Sequence, residues 1–80
     1  MKVEFEPKFK INQKVWLVEK YDDGFYYVDK HKIIGYAYFS KNDIEYFVNN
    51  MYVYEPLCDY QIYDDYKKAK EYAKELNNNG

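Results

Sequence analysis

Cys58 and His31 are the only thiol and the only imidazole in this 80-residue chain, so any soft-metal or nucleophilic chemistry must begin with them. A zinc-like centre needs three or four ligands. Asp22, Asp23 and Asp29 lie near His31 in sequence, but that spacing reads better as a solvated turn, and we expect no metal site. Cys58 with His31 as its base could meet across a small fold to make a nucleophile, although a lone Cys and a lone His are more often incidental. Paired carboxylates recur at Asp22/Asp23, Asp43/Glu45 and Asp64/Asp65. A glycosidase-like pair requires a cleft that a chain this short seldom provides, and these pairs suit turns and helix starts. Gly24, Gly35 and Gly80 are isolated, so there is no phosphate-cradling loop. The expectation is a protein without catalytic residues, cofactor or metal, and hence not an enzyme.

The remaining chemistry is aromatic. Twelve tyrosines raise the aromatic content to 22%, and all twelve basic residues are lysine. The stretch "NNMYVYEPLCDYQIYDDY", residues 49–66, sets five tyrosines among four carboxylates. A net charge of -2 without arginine lacks the basic patch and the guanine-reading side chain usual in nucleic-acid modules. The opening "MKVEFEPKFK" has no apolar signal region, and no uncharged apolar run approaches the ~20 residues that span a bilayer. A single cysteine can close no intrachain disulfide. These features predict a soluble, cytoplasmic protein.

The elements that must position these residues follow from local pattern. Eighty residues make one domain, burying roughly 60% of the unfolded chain's surface. Residues 1–8, charged and containing Pro7, read as an N-terminal arm; 9–77 read as a single globular domain and 78–80 as a frayed tail. Asn12 and Gln13 predict a tight turn before a strand holding Val15, Trp16, Leu17 and Val18. Asp23-Gly24 marks a hairpin, with a second strand from Phe25. "KIIGYAYF" alternates Ile33, Gly35, Ala37 and Phe39 on one face with Ile34, Tyr36 and Tyr38 on the other. Ser40 to Asn50 admits a capped helix or a hairpin; the alternation of Ile44, Tyr46 and Val48 favours the hairpin. Asn49-Asn50 then turns into a further strand, "MYVYE". Finally, "DDYKKAKEYAKEL" places Tyr66, Ala69, Ala73 and Leu76 at helical spacing. The fold class is α+β: a small curled antiparallel sheet of four or five strands, an SH3-like partial barrel, closed by one C-terminal helix.

Val15, Trp16, Leu17, Val18, Ile33, Ile34, Phe39, Phe47, Ile62 and Leu76 claim most of the core this domain can hold. Several tyrosines must therefore reach the surface, where each offers a large contact area at low rotamer cost. The expected partner-binding residues are Tyr36, Tyr38, Tyr52, Tyr54 and Tyr60, with Glu55 and Asp59 as an acidic rim able to meet a basic groove. The alternative is a small-barrel binder of single-stranded nucleic acid, in which tyrosines interleaved with Lys30, Lys32 and Lys41 stack bases.

"FKINQKVW", "KIIGYAYF", "IEYFV" and "IYDDYKKAKEYAKEL", in that order, resemble small uncharacterised proteins of Gram-positive phages and mobile elements. Those combine a "FKIGDKVW"-like opening, the strands of an SH3-like barrel and a closing helix. The likeness spans about residues 9 to 76 and is one of layout; Asn12 stands where the pattern usually has glycine. It implies a setting in which stoichiometric inhibitors of host defence occur, anti-CRISPR proteins among them, and a host protein such as a CRISPR or other defence nuclease as partner.

Overall fold

The structure is a computed structural model that describes residues 7–40, 43–51 and 55–79. Three antiparallel strands, β1 (Lys14–Lys20), β2 (Tyr26–Ser40) and β3 (Asp43–Val48), form an open sheet in the order β1-β2-β3, followed by one helix, α1 (Tyr66–Asn79). The class is α+β. The expected further strand, "MYVYE", has its residues 52–54 outside the described residues. Leu57 and Tyr63 each make one isolated antiparallel bridge, to Tyr46 on the outer edge of β3 and to Trp16 on the outer edge of β1. None of the described helices is long and apolar enough to cross a membrane.

Local chemistry explains the turns. Asn12 adopts a φ of 70°, a left-handed conformation that asparagine tolerates better than most residues, and its N–H donates to the Ile33 carbonyl at 2.8 Å. Gly24, at φ 87°, closes the β1–β2 loop by donating its N–H to the Tyr21 carbonyl at 2.9 Å. Asp23 accepts the Phe25 N–H at 2.9 Å, and pairing resumes at Tyr26, one residue later than expected.

Between them, the two faces of the sheet sort the apolar residues. Val15 and Leu17 point into a core with Phe9, Ile33, Tyr46, Val48 and Ile62. Trp16 and Val18 point to the other face, where α1 lies. Buried Ala69 and Ala73 let the helix approach closely, and Trp16 meets Tyr66 edge-on at 5.9 Å between ring centroids. Asp65 accepts the Lys67 N–H at 2.9 Å, as a helix-capping side chain should. The far end of the helix is pinned: Asn77 accepts the Tyr26 N–H at 2.7 Å and donates to the Tyr26 carbonyl at 3.0 Å. Asn77, the last residue of the expected domain, is thus held by two hydrogen bonds.

The alternation expected along β2 is interrupted. Ile33 pairs with Val48 but Gly35 pairs with Phe47, so Ile34 is an extra residue in the ladder; a second shift lies between Tyr38 and Ser40. The first bulge turns both Ile33 and Tyr36 inward, although a regular strand would put them on opposite faces. Ile34 and Phe39, expected in the core, are instead 45% and 64% exposed. Phe9, Tyr46 and Val48 take their places. Phe9 packs edge-on against Tyr46 at 5.1 Å, and Tyr46 in turn meets Tyr36 at 5.6 Å.

Candidate functional site

The expected partner-binding residues do not form one patch. Tyr36 is half-buried against the core and donates its hydroxyl to the Phe9 carbonyl at 2.7 Å. Tyr38 is 47% exposed at the end of β2 that the helix leaves uncovered. Tyr52 and Tyr54 lie outside the described residues, as does Lys41. Glu55 is exposed, and Asp59 and Tyr60 sit on a single 3-10 turn, Asp59–Gln61, with Tyr60 76% exposed. That turn is held by the Cys58 N–H donating to Gln61 at 2.9 Å. The Tyr60 hydroxyl is pushed above its ordinary pKa chiefly by its hydrogen bond with Cys58, and less by the nearby Glu45 and Asp59 charges.

Cys58 and His31 are not brought together. The Cys58 thiol donates to Glu45 at 3.6 Å, whereas His31 is buried on β2 with its Nδ1 2.7 Å from the Asn49 carbonyl. A nucleophile with an imidazole base does not form from this pair. Among the described residues, no three His, Cys, Asp or Glu side chains converge to hold a metal ion.

His31 belongs to a different cluster, one that sequence reading passed over. The β1–β2 register pairs Val15 with His31 and Leu17 with Asp29, which brings Glu19, Asp29 and His31 to the same face, at the rim of the core. Glu19 is pushed up to about 7, first by burial, then by a hydrogen bond to Asp29 that only its protonated form can donate, then by the Asp29 charge. Asp29 is held below the usual carboxylate range, chiefly by that same hydrogen bond. The Tyr21 hydroxyl lies 2.8 and 2.7 Å from the two Asp29 oxygens, and this contact heads the causes that raise Tyr21 to about 12. Burial and the Asp29 charge thus favour a proton on Glu19, donated to Asp29, up to a higher pH than an ordinary carboxyl holds one. The cluster lines an open pocket of about 690 Å³ whose wall includes Met51 and Glu55. The signal for it was present in the sequence only once the hairpin register was fixed, since Glu19 and Asp29 are ten residues apart.

On the other side of Tyr21 and Asp29 lies a second groove, of about 660 Å³, between the hairpin and α1. Lys67, Lys70 and Lys74, spaced along one helix face, border it opposite the Tyr21 and Tyr27 rings, which pack at 4.6 Å between centroids. The Tyr27 hydroxyl donates to Asp23 at 2.5 Å.

The fold and these surfaces define a small α+β protein with an exposed aromatic strand end and an acid–histidine pocket. Comparison of the chain with protein-family models, curated proteins and solved structures gives no match.

Proposed function

We propose that this protein is a non-enzymatic binding module directed at a host protein, in the manner of a phage or mobile-element inhibitor that sterically occludes a defence nuclease, as anti-CRISPR proteins do. The observation that carries the reading is the uncovered end of β2. Ile34, Tyr38 and Phe39 are 45%, 47% and 64% exposed within six residues of one strand. A soluble domain gains nothing in stability from apolar surface left in water, and such patches mark contact sites. Aromatic anchors of this kind carry most of the energy in protein interfaces. On this reading the sheet is a partial SH3-like barrel, which the bridges at Leu57 and Tyr63 on its two outer edges support.

One observation favours a second reading, the binding of single-stranded nucleic acid. Lys67, Lys70 and Lys74 beside Tyr21 and Tyr27 provide phosphate-neutralising charge next to stacking rings. Affinity capture of the tagged chain from a Gram-positive host lysate, with half the sample nuclease-treated, separates the two. One protein recovered equally from both halves supports the inhibitor reading. Recovery of nucleic acid, or of proteins that vanish after nuclease treatment, overturns it in favour of the second.

A further inference from the structure

We propose that the pocket formed by Glu19, Asp29 and His31 receives an organic cation, the guanidinium or ammonium of an arginine or lysine side chain presented by a protein partner. The argument rests on what the converging atoms can do. The Asn49 carbonyl only accepts, so the His31 Nδ1 that faces it at 2.7 Å carries the hydrogen. In neutral imidazole the Nε2 is then an acceptor. This Nε2 is buried, in a residue only 5% exposed, and no hydrogen bond satisfies it; Glu19 Oε1 stands 3.5 Å away without hydrogen-bonding geometry. Glu19 and Asp29 thus lie beside a buried ring nitrogen that has no hydrogen-bond partner.

A buried acceptor left unpaired costs about 1–3 kcal/mol, so the site favours any group able to supply several donors. A guanidinium carries five N–H donors and an ammonium three. Glu19, Asp29 and His31 are not close enough together to ligate one metal ion, and their wider spacing suits the several separated donors of an organic cation. Met51 and the Tyr21 ring in the wall suit the aliphatic stem of such a side chain.

Lys20 and Lys30 border the pocket, but among the described residues neither forms an ion pair with its carboxylates. Lys20 places its ammonium over the Tyr26 ring, 5.9 Å from its centroid. The carboxyl nearest the His31 Nε2 is that of Glu19, at 3.5 Å. The pocket wall also carries Asp22, Glu55, Lys20 and Lys30, so its four carboxyls, with Glu19 and Asp29, outnumber its two ammonium groups. An arriving cation must displace the proton that Glu19 donates to Asp29, so its binding strengthens as pH rises through about 7.

The test uses the full chain, labelled with ¹⁵N, titrated with N-acetyl-arginine amide and N-acetyl-lysine amide. N-acetyl-norleucine amide is the uncharged control, and putrescine represents a free amine. The expected result is saturable shifts at Glu19, Asp29 and His31 with the arginine or lysine amide, about tenfold weaker at pH 6 than at pH 8. Glu19→Gln should weaken binding at least tenfold and remove the pH dependence, while the rest of its spectrum overlays the parent's. The wild-type pH dependence is an independent check should that variant not fold. Absence of saturable shifts, equal response to the norleucine amide, binding of putrescine alone, or a Glu19→Gln variant that binds as before would each overturn the proposal. The proposal rests on the protein-binding reading only for the source of the cation. Amide binding in a chain that captures no protein would leave the pocket intact and remove that reading instead.

Discussion

Glu19 shows how one side chain can be placed against its own interest. Its carboxyl is raised from 4.5 to about 7 by burial and by Asp29, so the folded state favours the protonated form. The stability this group contributes is fully present below its unfolded pKa and is lost as pH rises from 4.5 through 7. Asp29 has the opposite sign: its depressed pKa contributes stability above the ordinary carboxylate value, which is lost as pH falls. Glu19→Gln mimics the protonated state at every pH. With the Glu19 side chain 35% exposed, solvent screening reduces the effect, and we expect the variant to be more stable than the parent by about 1 kcal/mol at pH 8. At pH 4 that gain should disappear. Urea unfolding at the two pH values measures both; a variant less stable than the parent at pH 8 would show that Glu19 is ionised in the fold and donates no proton to Asp29.

At the scale of elements, the bulge in β2 decides which residues are core. Ile33 is fully buried and Ile34, its neighbour of the same type, is nearly half exposed. Truncating Ile33 removes buried methyl groups and leaves a cavity, so Ile33→Ala should cost about 2–5 kcal/mol. Ile34→Thr should stay within about 0.5 kcal/mol of the parent. Equal losses in urea unfolding would mean that the two residues pack alike and that the bulge is misplaced. The same bulge marks where the sequence stops being legible. Asn12, Asp23-Gly24 and the Ala69/Ala73 spacing are local signals, each set by backbone preference or by helical period, and the turns and the helix follow from them. Which residue of "KIIGYAYF" is extra is not local: it depends on Ile33 reaching Val48 while Tyr36 reaches Tyr46. Apolar character alone therefore puts Ile34 and Phe39 in the core and passes over Tyr46 and Val48. The acid–histidine pocket was hidden for a related reason. Glu19, Asp29 and His31 become neighbours only through the β1–β2 register, and a five-residue loop around Asp23-Gly24 is compatible with more than one.

For the whole molecule, the proposed binding role turns on which of three surfaces would meet a partner: the apolar end of β2, the acidic pocket, or the lysine face of α1. They make different demands on salt. Each phosphate neutralised by a lysine releases counterions, so a nucleic-acid complex that used Lys67, Lys70 and Lys74 would weaken steeply with ionic strength. A contact built on Ile34 and Phe39 buries apolar area, which salt scarcely affects, and one cation seated in the acidic pocket adds only a modest dependence. We therefore expect partner affinity to fall only a few-fold between 50 and 500 mM salt, in keeping with about one screened charge pair. Ile34→Ala combined with Phe39→Ala should weaken the complex by more than about 1 kcal/mol with little change in unfolding. Reversing Lys67, Lys70 and Lys74 together to glutamate should change it less than about 1 kcal/mol, as expected for charges outside the contact. Calorimetric titration of the captured partner against these two variants tests the arrangement in one series. If the lysine reversal is the damaging change and the apolar variant is silent, the helix face is the contact surface, and the exposed end of β2 has some other cause.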